Sequence, residues 1–169
     1  MSDEFYAKLF RALGARGFEG RGQEVAAQVV LLRAPHGAYL GLYFRGRSVA
    51  YWGPLVSIYV AMRKQCALRE GLALAIVLVS GDLGYVLDEA RIEKYRHGWY
   101  VSQSDKRKAN FQLNDDALAG FPMFRGPEAC ADLLLSLVSN LPPCREDLTV
   151  TIFKRQRKRR RSYLDDFEL

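Results

Sequence analysis

The side chains able to do chemistry in this chain are mostly cations. From Lys154 to Arg161 the sequence reads KRQRKRRR, seven positive charges in eight residues. Between Glu24 and Glu70, 45 residues pass with no Asp or Glu, yet they carry Arg33, Arg45, Arg47, Arg63, Lys64 and Arg69. Clustered guanidinium and ammonium groups suit the binding of phosphates, which they attract while releasing counterions. Acid chemistry has fewer candidates: Glu24, Asp82, Asp88, Glu89 and Glu93. Glu89 and Glu93 stand four apart among Arg91, Lys94 and Arg96, the pattern of a solvated helix face. His36 and His97 are isolated, and Cys66, Cys130 and Cys144 are widely spaced. Neither a nucleophile with its base, nor a zinc site, nor a disulfide framework can be read from them. The glycines from Gly14 to Gly22 lack the Lys-Ser/Thr ending of a phosphate loop.

These groups need a frame. Tyr6, Leu9, Phe10 and Leu13 recur at helical spacing, which predicts a first helix over Asp3 to Ala15, ended by Gly14 and Gly17. Val25 to Leu32 reads as a strand, Pro35-His36-Gly37 as a turn, and Ala38 to Phe44 as the returning strand. Val49 to Trp52 reads as a third short strand. Pro54 opens a second helix, with Leu55, Ile58, Tyr59, Met62 and Cys66 inward and Arg63, Lys64 and Arg69 outward. Leu72 to Val79 is continuously apolar, as expected of a strand buried on both faces. A short helix over Asp88 to Tyr95 follows. Next comes a hairpin of Gly98 to Ser102 with Ala109 to Leu113, then a helix over Pro127 to Val138 and a last strand over Leu148 to Phe153. Helix, three strands, helix, strand is an α/β pattern.

At 169 residues and 49% hydrophobic, the chain fits one domain, residues 1–153, with an appendage, residues 154–169. It has no apolar run of about 18 residues and no secretory signal at its start, and its cysteines are odd in number. The expectation is a soluble cytoplasmic protein with no membrane partner. The basic run and the three acids after it, Asp165, Asp166 and Glu168, hold most of the net charge of +6. Without them, totals of 25 bases and 19 acids fall to 18 and 16.

The element order, with Gly17-Phe18 after the first helix, the strand Tyr39-Leu40-Gly41-Leu42-Tyr43-Phe44-Arg45 and the segment Gly98-Trp99-Tyr100-Val101, resembles the archaeal Holliday junction resolvase (Hjc) family. That family belongs to the restriction-endonuclease-like fold. The resemblance covers about the first two thirds of the chain. It implies a mixed sheet flanked by helices and a homodimer that binds DNA. In the family this strand has the form Tyr-Leu-x-Ile-Glu-Val-Lys, whose Glu and Lys serve metal-dependent cleavage. Here Tyr43 stands at the Glu position and Arg45 at the Lys position, and Val25 to Leu32 offers no Asp. Neither a neutral phenol nor a permanent cation replaces a carboxylate on a hard metal ion. The expectation is therefore an inactive paralogue with no metal cofactor, binding branched or duplex DNA through Arg33, Arg45 and Arg47. The same arginines would also suit an ordinary solvated face. An active, Mg²⁺-dependent, structure-specific endonuclease is the alternative, relying on displaced carboxylates such as Glu24.

Lys154, Arg155, Arg157, Lys158, Arg159, Arg160 and Arg161 cannot bury apolar surface, which predicts a tail disordered in the free protein and able to add phosphate contacts. Beyond it, Tyr163, Leu164 and Phe167 resemble the C-terminal clamp-binding motif of archaeal replication and repair proteins, in a degenerate form. That resemblance implies a sliding clamp as partner; packing of the three on the body or on a dimer mate is the plainer reading. The resulting expectation is a nucleoid-associated accessory factor in recombination, repair or chromatin. An RNA- or ribosome-associated or clamp-binding adaptor is the remaining alternative.

Overall fold

The computed structural model describes residues 3–24, 28–103 and 108–154. Its elements run α1 (Asp3–Ala15), β1 (Glu19–Glu24), β2 (Val29–Arg33), β3 (Tyr39–Gly46), α2 (Val56–Leu68), β4 (Leu72–Ser80), β5 (Leu83–Asp88), α3 (Glu89–Tyr95), β6 (Tyr100–Ser102), β7 (Asn110–Gln112), β8 (Met123–Arg125) and α4 (Pro127–Val138). Short 3-10 turns lie at Arg96–Gly98 and Val150–Phe153. One mixed sheet of six strands has the order β1-β2-β3-β4-β5-β8, and β6 pairs with β7 apart from it. Only β3 and β4 are parallel within the sheet, and α2 supplies the crossover that a parallel pair requires. The fold is α/β, a mixed sheet flanked by helices, and is compatible with a restriction-endonuclease-like fold.

Alternation along the strands divides the core into two layers. Leu40, Leu42, Phe44, Ala75 and Val77 face α1 and α4, which meet them with Phe5, Leu9, Leu13, Ala131 and Leu134. Tyr39, Tyr43, Leu74, Ile76 and Leu78 face the other way, against Tyr59 and Met62 of α2, Ile92 of α3 and Phe111 of β7. Every residue from Tyr39 to Phe44 is buried, so β3 carries no charge until Arg45, where the sheet runs out.

Several expected strands differ. The segment read as one strand over Val25 to Leu32 begins later, at Val29; Glu24 already pairs with Val29, and Gln28 takes a positive φ of 57°. Residues 25–27 lie outside the described ones. The strand before it, β1, is the exposed edge Glu-Gly-Arg-Gly-Gln-Glu, which has no apolar alternation to betray it. Val49 to Trp52 is a turn rather than a strand: Ser48 N and Oγ both donate to Tyr51 O, at 2.9 and 2.8 Å, and Val49 is fully exposed. Leu148 to Phe153 ends in a 3-10 turn laid on the sheet face instead of a strand. There Phe153 occupies the space a side chain at Gly41 would need, its ring lying 2.8 Å from a Cβ placed at that position. β5 and β8 were not expected at all, being short and interrupted by Gly84 or isolated between loops.

Gly84 is required by close approach. A Cβ there would fall 1.9 Å from Leu78 O and 2.5 Å from the Phe124 ring, and the carbonyl, held in the β4 ladder, cannot yield. Gly84→Ala is expected to destabilise the protein by about 3 kcal/mol or more, measured from the midpoint of denaturant unfolding. A variant within about 0.5 kcal/mol of the parent would contradict this packing.

Candidate nucleic-acid interface

The site is built where β3 leaves the core. Tyr43 and Arg45, two residues apart, project from the same sheet face, Tyr43 buried and Arg45 half-buried at the rim. The Tyr43 hydroxyl accepts a hydrogen bond from Leu55 N at 3.0 Å. Burial holds its pKa above the ordinary phenol value, ahead of the opposing effects of the Leu55 bond and Arg45, so it remains neutral. Leu55 belongs to a stretch that zips onto the β6–β7 hairpin: Trp52 pairs with Leu113 and Leu55 with Asn110. Arg45 Nε donates to Gly53 O in that stretch at 3.0 Å. This bond orients the guanidinium and leaves its terminal nitrogens available.

Arg47 stands beside it, 4.8 Å over the Trp52 ring and 3.8 Å from Asp115. Trp52 is itself held by its indole N–H donating to Val79 O at 3.3 Å. Together Gln28, Arg45, Arg47, Ser48, Tyr51 and Asn110 line an open cleft of about 350 Å³ floored by Gly46 and Gly53. Its chemistry is that of an anion site: two guanidiniums, two hydroxyls and amides.

Of the three arginines predicted to act together, the structure unites two. Arg33 pairs with Tyr39 at the far end of the β2–β3 ladder, six residues before Arg45 and so about 20 Å away along the strand. The covered middle of that face lies between them. Lys154 is exposed and follows Phe153, whose ring rests over Gly41. The described residues therefore end near the same sheet face as Arg45, Phe153 lying about 13 Å from it along β3. Arg155, Arg157, Lys158, Arg159, Arg160, Arg161, Tyr163, Leu164 and Phe167 lie outside the described residues.

The acid-free stretch is neutralised in space only in part, by distant carboxylates. Arg63, expected to face solvent, pairs with Glu93 at 3.0 Å and Glu89 at 3.5 Å on α3, and Arg69 with Glu146 at 2.7 Å. Among the described residues, Arg33, Arg45 and Lys64 have no carboxylate within 4.0 Å. Glu93 also accepts from the buried Tyr59 hydroxyl at 2.7 Å and pairs with Arg96 at 2.9 Å. The acidic side of α3 thus packs on α2 instead of forming a solvated face.

A divalent metal ion does not fit these donors. Opposite Tyr43 on β2 stands Val29, and Glu24 is one strand further in the same row, about 10 Å from Tyr43 across two strand spacings. Asp88 caps α3 through Arg91 N and pairs with Arg91, and Glu89 and Glu93 hold Arg63. Asp82 lies in the turn between β4 and β5, its carbonyl bound to Gly126 N. Among the described residues, no group of three or more His, Cys, Asp or Glu side chains could hold a metal ion. No helix among them is long and apolar enough to cross a membrane.

Sequence reasoning found Arg45 and Arg47 but missed Gln28, Ser48, Tyr51 and Asn110, which come from three separate stretches, Ser48 and Tyr51 sharing one turn, with no common pattern. Tyr43 connects them through Leu55. Tyr43→Phe is expected to cost about 1–2 kcal/mol, because the Leu55 N–H loses its acceptor in a part-buried place. Denaturant unfolding measures the loss, and faster hydrogen exchange at the Leu55 amide localises it; an unchanged exchange rate would refute the role given to this bond. Compared with known proteins, the chain matches no family model, no curated protein and no solved structure.

Proposed function

We propose that this protein binds nucleic acid without cutting it, through the Arg45–Arg47 cleft assisted by the basic tail. The observation that carries this reading is Arg45 itself: a guanidinium oriented by Gly53 O, with no carboxylate within 4.0 Å among the described residues, at the rim of an open polar cleft. Arginine held in this way meets phosphate with a preset fork of donors. The resemblance to the resolvases supports DNA as the polymer, and an accessory role in recombination, repair or chromatin. Tyr43 and Arg45 at the positions of the family's Glu and Lys support binding without metal-dependent cleavage.

Fluorescence anisotropy of the full chain with labelled junction, duplex and single strands tests it. Arg45→Ala and Arg47→Ala are each expected to weaken binding by about five-fold or more, the loss of one charge-assisted contact. Unchanged affinity in both variants would sink the assignment of the cleft. Deleting residues 154–169 is expected to flatten the salt dependence. Seven charges meeting duplex phosphates give a slope of log K against log salt of about −6, and a slope untouched by the deletion would exclude the tail from the contact. With Mg²⁺ or Mn²⁺ present, labelled junction is expected to stay intact; nicking abolished by Glu24→Ala would instead establish the nuclease.

A further inference from the structure

The hairpin that walls the cleft carries features that contact with a duplex backbone would leave unused. Tyr100 is 67% exposed. In the β6–β7 register Tyr100 lies opposite Gln112, Val101 opposite Phe111, and Ser102 opposite Asn110. Directly opposed residues share a face, so Tyr100, Ser102, Asn110 and Gln112 stand on one side while Phe111 is buried on the other. Asn110 is also a wall of the Arg45–Arg47 cleft. Tyr100 and Asn110 are diagonal neighbours, about 7–8 Å apart and within reach of one bound group.

Asn110 supplies an independent sign. Its Oδ1 is buried without a hydrogen-bond partner, while its Nδ2 points to Lys108 O at 3.5 Å. The reversed amide would set two oxygens against each other, so the acceptor is left facing Gly53, 3.4 Å from where a Cβ on that glycine would stand. A buried acceptor without a donor is unfavourable, and a turn of the Asn110 side chain into the cleft it lines would let a ligand bringing an N–H group beside a phosphate satisfy it.

We propose that the cleft and the outer face of the hairpin take an unpaired nucleotide of a single-stranded segment. Its phosphate lies at Arg45 and Arg47, its base stacks on Tyr100, and an exocyclic amine of the base donates to Asn110 Oδ1. Every base has a π face able to stack on tyrosine, and a cationic groove tracks the backbone, the combination that single-strand binders use. In a duplex each base face is covered by its neighbours, so Tyr100 would find no partner; a paired base still shows one amine hydrogen in the groove, but it cannot offer that hydrogen to Asn110 while stacking on Tyr100. This inference rests on the nucleic-acid reading of the cleft and narrows it to unpaired strands.

The test is anisotropy of the full chain at about 0.2 M salt, where weak tail contacts are screened. The probes are single-stranded DNA, single-stranded RNA and duplex DNA of equal length. Tyr100→Ala is expected to weaken binding to at least one single strand by about five-fold or more while leaving the duplex unchanged, and Tyr100→Phe to retain the parent affinity. A smaller loss on both single strands, or an equal loss on the duplex, overturns the proposal. Because Tyr100 is exposed, its substitution spares the core, and a thermal melt of each variant checks this. Oligo-dC is expected to bind more tightly than oligo-dT, which lacks an exocyclic amine, and Asn110→Ala to erase the difference. Equal binding of the two by the parent protein overturns the Asn110 contact. Arg45→Ala separates the two levels of argument. If it weakens every probe while Tyr100→Ala weakens none, only the single-strand inference fails; if it weakens none, the cleft is not the interface at all.

Discussion

The hydrogen bond from Leu55 N to the Tyr43 hydroxyl governs how the rest of the site is arranged. Tyr43 is buried in the central strand pair, so its hydroxyl has to find a partner inside the protein, and the main chain between β3 and α2 supplies it. Pinned there, the stretch from Trp52 to Leu55 pairs with the β6–β7 hairpin and turns Gly53 O toward Arg45. One phenol thereby links the sheet, the crossover helix and the hairpin, and sets the geometry of the cleft. The hydrogen-bonding capacity of Tyr43 thus serves the fold.

Two other buried tyrosines act alike. Tyr39 receives Leu148 N at 3.3 Å and so holds down the segment leading to the basic tail, and Tyr59 donates to Glu93 at 2.7 Å and so fastens α3 to α2. Each ring fills core volume on the same face of the sheet, and each hydroxyl anchors a different surface element. That face is consequently covered in its middle and open at its ends, which separates Arg33 from Arg45 and Arg47. Charge follows the same plan. The arginines of α2 and its end are met by Glu89, Glu93 and Glu146 from later in the chain, whereas Arg45, at the sheet rim, meets a carbonyl.

Long periodic or continuously apolar segments were legible. α1, α4, the core of β4 and the β6–β7 hairpin lie where spacing placed them, because burial of one face dictates composition over many residues. Elements whose residues bury little were not. β1 is a charged, glycine-containing edge, β8 has three residues, and Val49 to Trp52 has β-forming residues in what is a turn closed by Ser48 and Tyr51. The expected count of three strands before α2 held because the missed β1 took the place of the expected third strand. At the site, Arg45 and Arg47 were legible from charge alone; Gln28, Ser48, Tyr51 and Asn110 carry no local signature, and only chain reversal brings them to one cleft.

Residue identity alone settled the chemical inventory: cations clustered at the C-terminus, a stretch of 45 residues without acids, and within it Tyr43 and Arg45 two residues apart. It also settled that β3 and β4 form an apolar centre, since runs so poor in polar groups have nowhere else to go. Which charges remain available was decided by tertiary structure. Electrostatic partners are set by distance in space, and carboxylates from α3 and from Glu146 reach back across the chain to neutralise Arg63 and Arg69. Among the described residues, the absence of acids along the sequence is thus preserved in three dimensions at Arg45 and lost at Arg63 and Arg69. Closure of the hairpin onto residues 52–55, an association between segments more than fifty residues apart, turns the half-buried Arg45 into part of a cleft.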